Sequence, residues 1–403
     1  LNLASVADRA VAELGRREKQ AIQARDTRIA DMEPRATRSL LDRILAWRDS
    51  TVASAGFQKW AARFPLTRPI ARRRSRALFD VMAGFVYSQV LHACVELDLF
   101  GLLAHEPLTI EQIAKHVDLP EDALERLVRA AIALKLLEPR ARARVGLGTL
   151  GTPLANNEGL RALVDHHALL YEDLRDPVEL LRRHSETDTA LGRYYPYATE
   201  GSTPVAQEVA SYSALMSVTA EPLIAEVLDA YSFSGHRRVM DVGGGEGRFA
   251  RALSHRWPQL EVSMFDLPSV AERATQENTR LQSSVVVLGG DFRQDALPGG
   301  RDVITLVRIL LDHGDATVLD LLKKVRHALA PNGKLLIAEP MAGARGAGTV
   351  GDAYFAFYLL AMGNGRARRQ SELESLCLQA GFRRCRALGT RYPVSTGILV
   401  AEV

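Results

Sequence analysis

Three aspartates spread over residues 241–291 pose the first chemical question. Asp241 lies near the end of the apolar run VMDV, one residue short of GGGEG, with Glu246 inside that loop. Asp266 ends the run EVSMFD, and Asp291 follows a second glycine pair in GGDFRQD, with Phe292 beside it. A glycine loop after a short strand lets the backbone approach a nucleotide closely. A dinucleotide loop would read GxGxxG, with a pyrophosphate at the following helix. Here Arg248 takes the place of the last glycine, and Asp241 with Glu246 would repel a doubly anionic group. Both acids suit a ligand carrying an ammonium and a sulfonium, which describes S-adenosylmethionine (SAM). The spacing assigns Asp241, Gly243 and Gly245 to its amino-acid end. Asp266, with Leu267 next to it, falls to the ribose hydroxyls, Asp291 to the adenine amino group and Phe292 to the ring. Each residue also has a plainer role as a helix cap or core side chain, and NAD folds place an acid where Asp266 stands. Their order at the ends of three successive strands favours the cofactor.

Such acids need strands to carry them. RVMDV (238–242), EVSMFD (261–266), SVVVL (284–288), DVITLVRIL (302–310) and KLLIAEP (334–340) are short β-rich runs. Between them lie helical segments such as RFARALSHRW (248–257) and ATVLDLLKKVRHALA (316–330), the latter stopped by Pro331-Asn332-Gly333. The alternation predicts an α/β fold, a Rossmann-like doubly wound parallel sheet over residues 236–403 with ligands at the carboxyl ends of its strands. Residues 77–155 predict a helical winged unit. Thr109 and Gln112 have capping-box spacing, DLPED makes a turn, and a second helix carries Leu124, Leu127, Val128, Ala131 and Leu134 on one side. RARARVGLGTLGTPLA then reads as a two-stranded wing. Residues 156–235 predict connecting helices that cap the site, and residues 1–76 a polar, Arg-rich extension.

Composition narrows the function classes. The chain has 403 residues, 47% hydrophobic and 25% charged, with a net charge of only +3, so it has no general attraction to nucleic acid. The second winged helix opens with Glu121, Asp122 and Glu125, where DNA phosphates would lie; dimerisation is the expected role, and specific nucleic-acid binding is not expected. Cys94, Cys377 and Cys385 lack CxxC spacing, so neither zinc nor a disulfide framework is expected. The start of the chain turns charged too early for a secretory leader, and residues 79–103 carry too many polar groups to span a bilayer. A cytoplasmic protein is expected. The stretch RFPLTRPIARRRSR (63–76) has six arginines and no acid; it reads as a solvated face or as a patch for anionic lipid or nucleic acid.

Taken together, the winged helical region, DVGGGEGRFA, FDLP, GGDF, the DH segment after the fourth strand and LLIAEPM resemble the class I small-molecule O-methyltransferases of the caffeate and acetylserotonin type, which are metal-independent homodimers. The resemblance covers roughly residues 80–403. Residues 57–100 further resemble the carotenoid O-methyltransferases of purple phototrophic bacteria, which implies a 1-hydroxy carotenoid as acceptor.

In that family a His–Asp pair follows the fourth strand. The matching segment here is RILLDHGDATV (308–318): Asp312 matches, Leu311 stands in the histidine position, and His313 falls two residues later. One family glutamate falls on Ala367 and the other on Glu339. The resemblance therefore implies Asp312, Glu339 and a displaced His313 as catalytic residues, or else reliance on alignment in a dry pocket. It also implies that Arg308 closes over the cofactor. Asp312, His313 and Asp315 lack a fourth ligand, so no metal is expected. Tyr212, Met216, Met341, Phe355 and Tyr358, with Tyr354, Phe357 and Met362, are either an apolar acceptor lining or ordinary core. Other acceptors, such as a tetrapyrrole or an aromatic polyketide, stay open. A DNA-binding regulator with a degenerate SAM fold and a dehydrogenase are the readings from other classes. A basic, apolar N-terminal region also allows peripheral contact with a membrane.

Overall fold

The structure, a computed structural model, describes residues 39–183, 188–195, 215–216, 220–343, 348–391 and 396–403. Tyr212 and residues 1–38 lie outside them. The chain divides into two compact units, Leu1–Phe85 and Val86–Val403. In the first lie α1 (Leu40–Ala53), α2 (Ala55–Arg63) and the start of α3 (Arg68–Glu96). Ser39 and Asp42 form a reciprocal capping box on α1, and Ser54 caps α2.

The second unit opens with the end of α3, α4 (Leu99–His105), β1 (Leu108–Thr109), α5 (Ile110–Val117), α6 (Glu121–Ala133), β2 (Leu137–Arg140) and β3 (Arg144–Leu147). The expected capping box is present: Gln112 N–H donates to Thr109 Oγ1 at 3.3 Å and Thr109 N–H to Gln112 Oε1 at 2.8 Å. Asp118 ends α5 in the left-handed region at φ 53°. Leu124, Val128 and Ala131 then bury one stripe of α6 at helical spacing. They pack with Cys94, Val95, Leu99, Phe100 and Val145 into one core. The wing has three strands where two were expected, because the short β1 pairs antiparallel with β3.

Helices α7 (Glu158–Asp173), α8 (Pro177–Arg182), α9 (Ala190–Tyr194) and α10 (Glu221–Ala230) lead into the sheet domain. There follow β4 (Arg238–Val242), α11 (Arg248–Arg256), β5 (Glu261–Asp266), α12 (Pro268–Arg280), β6 (Val286–Gly289), β7 (Arg301–Val307), α13 (Asp315–Ala328), β8 (Leu329–Glu339), α14 (Phe355–Met362), α15 (Gln370–Gln379), β9 (Arg384–Leu388) and β10 (Gly397–Glu402). The strand order is β6-β5-β4-β7-β8-β10-β9; the first five are parallel and β10 runs antiparallel between β8 and β9. Neighbouring residues of one strand feed opposite faces. Met240, Ile304 and Leu335 enter one core, while Val239, Val303 and Leu336 enter the other. Both faces are thus covered, as a parallel sheet requires. The connections reverse at β4 and β7, which opens a crevice at the carboxyl ends of those strands.

Two expected strands end elsewhere. β7 stops at Val307 instead of reaching residue 310, because Arg308 takes a left-handed φ of 58° and the chain then turns through a 3-10 segment, Leu310–Asp312. β8 starts at Leu329, so Pro331-Asn332-Gly333 lies within its bounds, and Asn332 absorbs the irregularity at φ 63°.

Candidate active site

The crevice at the ends of β4 and β7 holds a cavity of about 180 Å³. Asp241, Gly243, Gly245, Asp266, Leu267, Asp291, Phe292, Arg308, Asp312, His313 and Met216 all face it. Gly243, Gly245 and Gly247 have φ of 73°, 58° and 80°, values that side-chain-bearing residues adopt only with strain. A Cβ on Gly243 would strike the Ile309 side chain, whereas one on Gly245 would meet nothing within 4 Å. The loop thus presents bare backbone to the cavity.

Two carboxylates flank that loop, Asp241 buried and Asp266 half-buried. Asp241, 1% exposed, accepts a 2.6 Å hydrogen bond from Thr305 Oγ1. Burial, opposed by the Thr305 bond, pushes its carboxyl up to about 7. Asp266 accepts from Gly245 N–H and Leu267 N–H, both at 2.7 Å, and burial raises it to about 6. A cation brought beside Asp241 offsets the desolvation of its ionised form. Glu246 is engaged elsewhere, its carboxylate paired with Arg273 at 2.6 Å. Asp291 is likewise committed. Despite burial, the Arg293 guanidinium, which forms a two-pronged pair with it at 2.9–3.1 Å, holds it below the usual carboxylate range. Phe292 meets the His313 ring edge-on at 5.3 Å between centroids.

The far side of the cavity is built by the turn 310–313. Leu311 N–H donates to Glu339 Oε2 at 3.1 Å, Arg366 N–H to Leu311 O at 2.9 Å, and Arg368 donates to Leu310 O and His313 O, both at 2.6 Å. Arg368 is fully buried and also pairs with Asp315. Sequence reading missed it, since GNGRARRQ holds four polar residues after the glycines with nothing to mark one as interior. The backbone of Gly365, at φ 78°, lies so close to residues 311 and 312 that a Cβ would collide with them.

This turn aims Asp312 into the cavity. No hydrogen bond from a described residue reaches its carboxylate, and burial, opposed by the Arg308 charge, raises it to about 7. Behind it Glu339 is fully buried. Among the described residues its Oε1 has no hydrogen-bond partner, and burial, opposed chiefly by Arg368, raises it to about 8. Burial, helped by the Arg293 and Arg368 charges, lowers His313 to about 4, so its imidazole is neutral at pH 7.

The expected acceptor lining divides. Met216 faces the cavity, with Arg308 Nη2 2.8 Å from its Sδ, and Met362 faces it as well. Met341 does not: it is buried in the core beside the start of β10, where its Sδ would lie 2.6 Å from a Cβ on Gly397. The chain leaves β8 after Glu339, which carries Met341 past the cavity. Phe355 and Tyr358 also stand back from it, packed with Leu170, Leu180 and Leu191. Tyr358 Oη bonds His166 Nε2 at 2.8 Å and also contacts Tyr195 Oη, and Tyr195, which sequence reading did not single out, reaches the cavity wall from this cluster together with Met362.

A doubly wound sheet with an antiparallel seventh strand, a bare glycine loop and an acid at the ends of β4 and β5 defines a SAM-dependent methyltransferase. The O-methyltransferase domain model matches residues 171–383 and the O-methyltransferase dimerisation domain model residues 79–155. The chain belongs to the O-methyltransferase family, and SAM is its cofactor. Among its relatives, the demethylspheroidene O-methyltransferase of Cereibacter sphaeroides is 42% identical over 82% of this chain and 87% of that one. The Rhodobacter capsulatus protein of the same name is 40% identical over 84% and 85%. Acetylserotonin O-methyltransferase of Mus musculus is 30% identical over 80% and 87%. Human N-acetylserotonin methyltransferase, solved in complex with SAM, shares the fold with a TM-score of 0.69 at 23% identity, over 82% of this chain and 97% of that one.

Proposed function

We propose that the chain methylates the hydroxyl of a long apolar molecule, a 1-hydroxy carotenoid, and works as a homodimer joined through its winged unit. The identity of 42% over four-fifths of the chain to a demethylspheroidene O-methyltransferase carries the acceptor class. The cavity agrees with it: Leu223, Ile224, Val270, Val307, Ile309 and Met362 give it a largely apolar wall. The dimerisation domain supports the assembly.

Bound at the glycine loop, SAM supplies a methyl group on an electrophilic sulfonium. Asp241 would balance the cofactor's ammonium, Asp266 would take the ribose hydroxyls and Phe292 would stack on the adenine. The acceptor oxygen would form its bond to the methyl carbon as the carbon–sulfur bond broke, the electron pair passing to sulfur. The hydroxyl proton passes to Asp312. An aliphatic alcohol holds its proton too tightly to lose it first, but the oxygen becomes strongly acidic as the new bond forms. A carboxylate raised to about 7 then suffices as acceptor. His313 packs against Phe292 and serves as a wall. Leu311, in the place of the family histidine, is buried in the cluster with Tyr358 and Met362 behind the cavity wall.

Purified protein, isotopically labelled SAM and a mixture of hydroxylated carotenoids and phenols, followed by mass spectrometry, tests this. One labelled methyl on a carotenoid tertiary alcohol is expected. Methylation of the phenols alone would replace the acceptor, and no transfer to any compound would overturn the reading.

A further inference from the structure

The described residues of the first unit, 39–85, have almost no interior of their own. Ala61 is the one buried hydrophobic residue among its described side chains. On α1, Leu40, Ile44 and Trp47 recur at i, i+4 and i+7, all more than half exposed, and Trp60, Phe64, Leu66 and Ile70 are exposed after them. Aromatic and aliphatic side chains in such number mark a contact surface. The charge is as uneven. Residues 39–85 carry nine Lys and Arg against three Asp, an excess larger than the +3 of the whole chain. The arginines between 63 and 76 are all exposed.

We propose that residues 40–76 form a docking surface for an anionic lipid bilayer. Tryptophan and phenylalanine fit the boundary between headgroups and acyl chains, while arginines reach phosphates with their stems along the apolar layer. Each basic residue near such a surface adds attraction. A second copy is a poor occupant, because a self-paired patch would bring two strongly basic surfaces together. The dimerisation match also begins only at residue 79, so this surface lies outside it. Helix α3 is long and apolar enough to cross a membrane, yet its last turn is anchored in protein: Cys94 and Val95 are buried in the winged core. In this proposal the unit lies on the bilayer surface. The inference rests on the proposed apolar acceptor only for its purpose, which is to draw substrate from the lipid phase.

Flotation of the full-length protein with phosphatidylcholine vesicles, and with vesicles in which one third of the lipid is phosphatidylglycerol, tests it without any turnover. Binding to the anionic vesicles that weakens with salt is expected. The triple change Arg72→Glu, Arg73→Glu and Arg74→Glu should weaken it at least about tenfold, and Trp47→Ala with Trp60→Ala should weaken it without altering its salt dependence. Methylation of acceptor supplied in detergent should be unchanged in both variants, which shows that they fold. Equal binding to both vesicle types, retention on DNA in place of vesicles, or a change of oligomeric state in the arginine variant would each overturn the proposal. If vesicles bind but no carotenoid is methylated, the acceptor reading fails and the docking surface stands.

Discussion

The two sides of the cavity treat their carboxylates differently. On the cofactor side, Asp241 and Asp266 are held by hydrogen bonds from Thr305, Gly245 and Leu267 at 2.6–2.7 Å. On the reaction side, Asp312 accepts no hydrogen bond from a described residue, and Glu339 leaves Oε1 unpartnered among the described residues. A held carboxylate is a fixed charge suited to binding. An unheld one in an apolar setting is poised near neutrality and suited to taking a proton. In the proposed mechanism, binding falls to the ends of β4 and β5, and proton transfer to the turn after β7.

The sharpest way to break that division is Asp312→Asn. It keeps the size of the side chain and removes the acceptor, so kcat should fall about 10²- to 10⁴-fold, with SAM affinity nearly unchanged in calorimetry. His313→Ala should cost less than about tenfold, since its ring packs on Phe292 at the cofactor side and, lowered to about 4, is a weak base. A larger loss in the histidine variant than in the aspartate variant would exchange their roles. On the opposite side, Asp241→Asn retains a partner for Thr305 and removes the charge. SAM affinity should drop roughly 10- to 100-fold, the worth of one charge-assisted contact, while kcat at saturating SAM changes little. If kcat fell as far as in Asp312→Asn, the two sides would not be separable.

The same division explains what could be read in the sequence. Asp241, Asp266 and the glycines sit at strand ends, where local pattern fixes position, and β4 and β5 have the bounds that their apolar runs predict. The Thr109–Gln112 capping box was legible for the same reason: all its atoms lie within four residues. The reaction side depends on contacts between distant segments. Arg368 reaches back 58 residues to Leu310, and Tyr358 reaches 192 residues to His166. No periodicity marks such pairs, and composition alone groups Met341 and Phe355 with the acceptor lining. Glu246 and Asp291 show the complementary limit, since an acid in the expected place was already matched by Arg273 or Arg293.

Arg368→Met sharpens the comparison from the supporting shell. It removes two anchors of the turn 310–313 and the pair with Asp315, so kcat should fall by about tenfold or more through loss of alignment. Arg368→Lys, which keeps a charge but not the fork of donors, should recover only part of that loss. Unchanged turnover in Arg368→Met would mean that Asp312 is positioned by something else.

The smallest effect is on stability against pH. Asp241 and Asp312 are raised to about 7 and Glu339 to about 8, above their unfolded values. Where the folded state binds more protons, stability falls as pH rises. These groups thus stabilise the cofactor-free protein below their unfolded values and lose that contribution as pH climbs to about 8. His166 and His313, both lowered to about 4, act in the opposite sense, adding stability as pH rises from about 4 to their unfolded value of 6.5. The two effects oppose each other below pH 6.5, and above it the carboxylates act with no opposition from these histidines. Melting of the cofactor-free protein should accordingly fall by about 2–4 °C between pH 6.5 and 8 for each kcal/mol lost. SAM should narrow the fall, because its positive charge beside Asp241 favours the ionised form and so makes the cofactor-induced shift grow with pH. Asp241→Asn should flatten that growth, while Asp312→Asn should flatten only the cofactor-free slope. A melting temperature that rises over the same interval in the cofactor-free protein would show that the buried carboxylates are ionised and paired, and would remove the distinction between the two sides.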